Sequence, residues 1–180
     1  FKRYANQDIS WEKADKINLG VETGFFKNEA LKFQVDFFKD FRNNIYMKRE
    51  NFPETAGFQT AIHGNVGKVH SKGIDASLDF QHSFNNNFWM MSRANFTYAT
   101  NKYVERDEKN YRDEYLKTIG YPIHQTWGLV AERLYVDQNE IDNSPRQEFG
   151  NYMRGDIKYQ DINGDGVVNS NDRIAMGYPT

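Results

Sequence analysis

The chain has 180 residues, a net charge of −2 and a pI of about 6.1, so it can form a domain with a sizeable core and lacks the positive excess typical of nucleic-acid binding. The absence of cysteine excludes disulfides and thiolate metal sites within this sequence. Aromatic residues reach 16% although the mean hydropathy is only −0.85, and no stretch is long and apolar enough for a transmembrane helix.

The first predicted elements are two strands in which apolar and polar residues alternate with a period of two. One run covers residues 17–25, the next covers 31–37, and the short segment 27–29 separates them. Successive side chains of a strand point to opposite faces, so each run has one apolar and one polar face. We predict an antiparallel hairpin over about 16–46.

A second hairpin follows after a predicted loop. Residues 47–68 contain Gly64 and Gly67, which predict turns, so we place an outer loop there. The alternation returns over about 69–104 and is interrupted by the Asn85-Asn86-Asn87 turn. We therefore assign 1–104 to strands arranged in two hairpins.

Two environments use such two-faced strands: a soluble sheet over a core, and a membrane barrel around a polar lumen. A barrel explains the combination of many aromatic residues with low mean hydropathy, because half of each strand faces water and long polar loops lower the average. The predicted lipid-facing residues are Leu31, Phe33, Val35, Phe37, Ile74, Leu78, Phe80, Phe88, Met90 and Phe96. The predicted inward-facing residues are Asn18, Glu22, Gln34, Asp36, Asp75, Asp79, Arg93 and Asn95.

Residues 105–180 form a predicted long outer loop region with short strands. Tyr121 and Trp127 lie within it and are candidates for substrate or partner contact. Two tight turns alternating with two long connections are typical of outer-membrane barrels, which have short periplasmic turns and long extracellular loops. We predict an all-β fold: antiparallel strands of part of a transmembrane β-barrel, with one long outer loop region.

The most specific local motif is a calcium-like loop at 161–172. A twelve-residue calcium loop supplies oxygen ligands from positions 1, 3, 5, 7, 9 and 12, and has glycine at position 6, which Gly166 provides here. The predicted ligands are Asp161, Asn163, Asp165, the Val167 carbonyl, Asn169 and Asp172. The usual final residue is glutamate, and Asp172 is one methylene shorter. Since Asn, Asp and Gly also cluster in ordinary surface turns, both interpretations stay open; a bound Ca²⁺ would have a structural role.

The sequence offers no catalytic constellation. Its four histidines are scattered without the i, i+4 spacing of a helical zinc site, and it contains neither a phosphate-binding glycine loop nor a nucleophilic serine elbow. His82 falls on the apolar parity of its strand near a turn, as expected for an interfacial residue. We therefore expect a non-enzymatic protein.

Three blocks resemble one family. Residues 11–20, which read W-E-K-A-D-K-I-N-L-G, are similar to the W-E-K-A-x-x-x-N-L-G stretch of SusC/RagA-type TonB-dependent outer-membrane transporters. Residues 65–75 resemble their N-x-G…N-K-G-I-E block, with Ser71 for Asn and Asp75 for Glu. Residues 155–177 resemble their G-D-I-K-Y-x-D-x-N-G-D-G…D-R…G signature, with Arg154 where proline is common. The blocks occur in the family order across nearly the whole chain.

The resemblance implies a fragment of the C-terminal half of a twenty-two-stranded barrel with a plug domain. Such transporters import glycans or peptides across the bacterial outer membrane, receive energy from the TonB complex and carry a SusD-like surface lipoprotein as a lid. By this resemblance the chain supplies barrel wall and outer loop, contacts outer-membrane lipid and lacks the TonB-contacting segment. No nucleic-acid partner is expected.

A soluble, calcium-stabilised β-sandwich binding module, for example one for carbohydrate, is the alternative. It accounts for the alternation and the metal loop, but leaves the ordered family blocks and the unequal connection lengths unexplained. A glycan-degrading enzyme fragment has no positive support. We further expect that four strands alone leave open edges, so the segment should not form a stable soluble monomer.

Overall fold

The computed structural model describes residues 6, 8–51, 57 and 60–177. They form two compact units, one within Phe1–Lys109 and Ile119–Ile123 and the other within Asn110–Thr118 and His124–Thr180. No helix within these ranges combines the length and the apolar character that crossing a bilayer requires.

The first unit is a four-stranded antiparallel sheet with the order β1-β2-β3-β4. Its strands are β1 (Lys13–Phe25), β2 (Leu31–Lys48), β3 (His63–Asn85) and β4 (Phe88–Glu105). A 3₁₀ turn at Lys27–Glu29 joins the first two strands, and residues 86 and 87 join the last two. In the latter turn, the Asn85 side-chain oxygen accepts the Asn87 N–H at 2.9 Å, which confirms the predicted asparagine turn.

The strand pairing separates the two predicted faces. One lateral row of the apolar face consists of Val21, Val35, Ala76 and Phe96, and the adjacent row of the polar face consists of Gly20, Asp36, Asp75 and Thr97. None of the described residues of this unit covers the apolar face: Phe33 is 37% exposed, Leu78 40% and Phe96 59%. Because these large apolar side chains remain exposed, this face of the sheet is not packed in a protein core.

The predicted loop at 47–68 is too long. The second strand ends at Lys48 and the third begins at His63, so 63–68 belong to β3; residues 52–56, 58 and 59 lie outside the described part. Gly64 and Gly67 are buried strand residues and not turns. A Cβ on Gly67 would lie 2.9 Å from the Met47 sulfur, and one on Gly64 would lie 3.4 Å from the Arg49 side chain. Both glycines therefore permit a close approach between neighbouring strands.

Gly73 has the tightest surroundings of the sheet glycines and gives the first testable prediction. A Cβ there would lie 2.5 Å from the Tyr98 carbonyl oxygen and would also overlap the Phe38 ring, which covers the glycine on the polar face. Because a backbone carbonyl cannot move without disturbing the ladder, Gly73→Ala should destabilise the protein by about 1–3 kcal/mol. Gly24→Ala is the control, since the three atoms nearest to its Cβ would belong to the flexible Glu29 side chain, at 3.0 Å or more. Urea unfolding of the full-length protein in detergent measures both; equal losses would contradict the steric argument.

The second unit is built from short elements around a small core. Its elements are β5 (Trp127–Gly128), β6 (Ala131–Leu134), α1 (Gln138–Asp142), β7 (Arg146–Gln147), β8 (Ile157–Tyr159), β9 (Val167–Val168) and β10 (Ile174–Ala175), with 3₁₀ turns at Glu114–Leu116 and Ser170–Asp172. The pairs β5–β10 and β6–β8 are antiparallel, and β7–β9 is parallel.

Gln147 links two of these strand pairs. It is 6% exposed, its side-chain N–H₂ donates to the Ile157 carbonyl at 3.1 Å, and its side-chain oxygen accepts the Tyr159 N–H at 2.7 Å. Tyr135 and Val168 supply the buried apolar surface. The side chain of Gln147 thus takes the place of a neighbouring strand along β8. It gives a hydrogen-bond partner to two backbone groups, the Ile157 carbonyl and the Tyr159 N–H.

Candidate functional site

The polar face of the sheet forms a shallow acidic concavity. Asp36 and Asp75 lie directly opposite each other on β2 and β3, where like charges repel. Gln34 donates to Asp36 at 3.2 Å and the Thr97 hydroxyl donates to Asp75, so both carboxylates keep a hydrogen bond from a neutral side chain. The predicted inward-facing residues therefore do share one polar face.

Aromatic rings collect at the short-turn end of the apolar face. The His82 ring packs edge-on against Phe84 at 4.6 Å between centroids, and Phe84 stacks on Phe88 at 5.1 Å. Rings at the boundary between an apolar band and water are typical of barrel rims. His82 is therefore part of an aromatic rim, in agreement with its apolar parity in the sequence.

The 161–172 loop is held by side-chain oxygens that accept backbone amides. The Asp161 carboxylate accepts from Gly164 and Gly166, both at 2.8 Å. Three further side-chain oxygens each accept the amide two residues on: those of Asn163, Asp165 and Asn169, at 2.8–2.9 Å. Gly164 and Gly166 have φ values of +71° and +85°, which favour glycine and let the chain turn toward these oxygens.

Asp172 closes the loop from within. Its side chain is fully buried; one oxygen accepts the N–H groups of Ile162 and Asn163 at 2.9 and 3.3 Å, and the other accepts that of Asn169 at 2.8 Å. Asn169 and Asp172 also form a reciprocal capping box around the 3₁₀ turn. The final carboxylate of the motif thus satisfies three amides by itself.

The oxygen set of the loop can be compared with what Ca²⁺ requires. Asp161, Asn163, Asp165 and Asn169 each bring oxygens that retain a lone pair, which suits a hard cation. Asp172 has one oxygen saturated by two amides. In the part of the chain that the structure describes, no three His, Asp or Glu side chains converge as a metal-binding group. The calcium site stays a prediction.

Tyr115 anchors the loop from a segment that the sequence did not mark. Its hydroxyl donates to the Asn171 carbonyl at 2.7 Å. Burial raises the pKa of the Tyr115 phenol, and the neighbouring carboxylates, including Asp113 and Asp172, raise it further. Sequence analysis missed Tyr115, because a single tyrosine among many charged residues forms no pattern that would predict this contact.

The predicted contact residues Tyr121 and Trp127 lie in different units. The Tyr121 carbonyl accepts the Tyr103 N–H at 3.0 Å, and Trp127 pairs with Ala175 in the β5–β10 ladder. Both side chains are half-buried. Their role in substrate or partner contact stays a prediction.

A second charged cluster surrounds Glu140 in the second unit. Its carboxylate accepts the Val136 N–H at 3.0 Å and pairs with Arg133 and Lys158. The Val136 hydrogen bond, followed by Lys158 and Arg133, lowers the pKa of Glu140 below its ordinary value of 4.5. Every charge is used to join α1 to the β6–β8 pair, so the cluster is structural.

Comparison with known proteins adds the wider context. The family model described as "TonB dependent receptor-like, beta-barrel" matches residues 1–173. TonB-dependent receptor P26 of Formosa agariphila is 24% identical over 98% of this chain and 18% of its own length. TonB-dependent receptor SusC of Bacteroides thetaiotaomicron is 20% identical over 97% of this chain and 17% of its own length. The chain spans less than a fifth of the curated relatives it matches.

Solved structures show the same fold. The RagAB peptide importer in its open-open state superposes with a TM-score of 0.66 at 21% identity, over 97% of this chain and 18% of that one. The closed-closed state gives 0.64 at 20% identity over 95% of this chain and 18% of that one. The four-stranded sheet therefore has the fold of part of a barrel wall, and the barrel is not closed by the described strands.

Proposed function

The chain belongs to the TonB-dependent receptor-like β-barrel family, and from that membership we propose that it supplies wall and extracellular loop to a transporter that imports glycans or peptides across the bacterial outer membrane. The observation that carries the proposal is the uncovered apolar face of the sheet, which has an acidic, hydrogen-bonding face on its other side. Lipid on one side and a wet lumen on the other satisfy both faces at once.

The proposed role needs no catalytic group in this segment. The charged clusters described above serve hydrogen bonds and ion pairs within the fold. We expect the polar face, with Asp36 and Asp75, to line the lumen or to contact a plug domain. We expect the second unit to be exposed at the cell surface, because it follows β4 at the end of the sheet with long connections.

Partners and substrates of the whole protein follow from the relatives. One is named SusC and another is a peptide importer, so oligosaccharides and peptides are both candidates. A SusD-like surface lipoprotein and the TonB complex are the proposed partners, and TonB would contact a segment outside this one. Uptake of labelled oligosaccharides and peptides by cells with and without the gene would identify the class; growth and uptake that never depend on it would contradict the proposal.

Extraction separates the barrel from the soluble β-sandwich alternative. The full-length protein should fractionate with outer membranes and require detergent for release, because the apolar face is covered by lipid. Release by salt or high pH without detergent would contradict membrane insertion. The barrel family match and the uncovered face do not favour the sandwich, in which Phe33 and Leu78 would be buried.

The 161–172 loop is proposed to hold a structural Ca²⁺. Asp161, Asn163, Asp165, the Val167 carbonyl and Asn169 would contribute oxygens, and Asp172 would close the loop and add charge. In the full-length protein, calcium should slow hydrogen exchange of the loop amides relative to chelator, and Asp161→Ala with Asp165→Ala should abolish that difference. Asp142→Ala is the matched control, because that exposed carboxylate lies outside the loop and accepts a hydrogen bond from Gln138 within α1. Identical exchange with calcium and with chelator would reduce the loop to a metal-free turn.

A further inference from the structure

Three lysines that form no ion pair with any described residue lie on the lipid side of the sheet, next to its apolar band. Lys39 and Lys72 lie directly opposite each other on β2 and β3, and Lys102 follows one row further along β4, opposite His70. Their parity is that of Phe37, Ile74 and Tyr98, so they belong to the apolar face and not to the lumen face. All three lysines are exposed.

The arrangement is unfavourable unless something neutralises it. Like charges directly opposite each other across a ladder are destabilising, and the cost grows in the low dielectric beside a bilayer. Among the described residues, no carboxylate forms an ion pair with Lys39, Lys72 or Lys102. Asp15, on the outermost strand in the row of Phe41, makes none with them. Lys68, by contrast, pairs with Glu105.

The lysines lie at a defined height. They lie next to the apolar rows, on the side that faces the long connections after β2 and β4. In an outer-membrane barrel the long connections are at the extracellular end. The Lys39 ammonium lies 4.7 Å from the Phe41 ring centroid, so it points away from the apolar band, as a lysine does when it reaches for the interface. Tyr98, exposed at the upper edge of the band, marks the same boundary.

We propose that Lys39, Lys72 and Lys102 bind the phosphate of a lipid in the outer leaflet. The ammonium groups neutralise the phosphate oxygens, and the acyl chains lie on the apolar rows directly below. Those rows run from Leu19, Phe37, Ile74 and Tyr98 to Phe25, Leu31, Phe80 and Ser92. The inference rests on the proposed membrane orientation, but goes beyond transport, because this surface faces away from the lumen.

The test uses the full-length protein in detergent with three probes: a phosphorylated lipid A, its dephosphorylated form and inorganic phosphate. Native mass spectrometry counts the bound molecules. We expect retention of the phosphorylated form only. The triple variant Lys39→Gln/Lys72→Gln/Lys102→Gln should weaken the binding of phosphorylated lipid A on the order of a hundredfold, at about fivefold per lysine. The corresponding triple arginine variant should retain it, because charge at the same height is kept.

The control removes the same charge elsewhere. Lys16→Gln/Lys27→Gln/Lys109→Gln places the changes on the polar face, at the short turn and in a connection, and should leave lipid retention unchanged. Equal retention by the wild type and the first glutamine triple, equal loss in both glutamine triples, or binding of inorganic phosphate as strong as that of the lipid would each overturn the proposal. Heat-modifiable electrophoretic mobility shows that each variant is folded. A protein that needs detergent but fails the lipid test overturns this inference alone, whereas release without detergent overturns the barrel placement too.

Discussion

Asp172→Ala is expected to unfold the 161–172 loop locally, at a cost of about 3–5 kcal/mol. The change removes the acceptor that, among the described residues, serves three half-buried amides, those of Ile162, Asn163 and Asn169. Each amide left without a partner costs roughly 1–3 kcal/mol, and hydrogen bonds to a charged group lie toward the upper end of that range. Hydrogen exchange of the loop amides in the full-length protein measures the loss directly.

The control for this prediction lies in the same loop. Asp165→Ala removes an exposed carboxylate that accepts from Val167 and Asn163, and should cost at most about 1 kcal/mol. Both variants are compared in chelator, so that metal binding does not contribute. Asp172→Asn should fall between them, since it keeps one acceptor oxygen and replaces the other by a donor. If the loop amides exchange as slowly in Asp172→Ala as in Asp165→Ala, the buried carboxylate is not what closes the loop.

The faces of the sheet were predictable because alternation is local. Once Ile17 to Phe25 follow a period of two, the direction of every side chain is determined, and pairing in register only extends the pattern sideways. The same logic predicted the tight asparagine turn. The metal-loop motif likewise located the densest set of loop hydrogen bonds, although it could not show that Asp172 would be saturated by amides.

What the sequence could not show depends on partners distant in the chain. Gly64 and Gly67 resemble turn residues, yet they lie in a strand because Ile45, Met47 and Arg49 approach their bare backbone. Asn65 contributes to that geometry by donating to the carbonyls of Ser10 and Asn44. Gln147 has no neighbouring pattern that would predict a buried link to β8. Each of these roles is set by packing, and packing has no period in the sequence.

The same sheet has two surfaces with opposite requirements, and this explains why a barrel context is needed. The strands β1 and β4 are edges of the four-stranded sheet, and edges with free amides and carbonyls invite pairing with further strands. The apolar face needs lipid and the acidic face needs water or polar protein. Four strands in water satisfy only the second requirement, so we expect the isolated segment to aggregate and not to unfold cooperatively as a monomer.

Ala94→Arg compared with Asn95→Arg tests this division at two adjacent residues of β4. Ala94 lies in the row of Thr23, Phe33 and Leu78, near the middle of the apolar band, whereas Asn95 lies opposite Ser77 on the acidic face. An arginine at the bilayer midplane costs about 2–4 kcal/mol. A substitution on a face that stays in contact with water usually changes the stability by only about 0.5 kcal/mol or less. Neither change removes a large side chain, so neither leaves a cavity. The difference in unfolding free energy between the two variants therefore reflects the environment of each arginine.

The full-length variants are unfolded with urea in lipid bilayers, and the loss of heat-modifiable electrophoretic mobility measures the unfolded fraction. We expect Ala94→Arg to lose about 1.5–4 kcal/mol more than Asn95→Arg, whose guanidinium can instead approach the carboxylates of the acidic face. Equal losses would mean that the two faces share one environment. A larger loss for Asn95→Arg would reverse the assignment and place the polar face against the hydrocarbon, which the opposed carboxylates of Asp36 and Asp75 make energetically untenable.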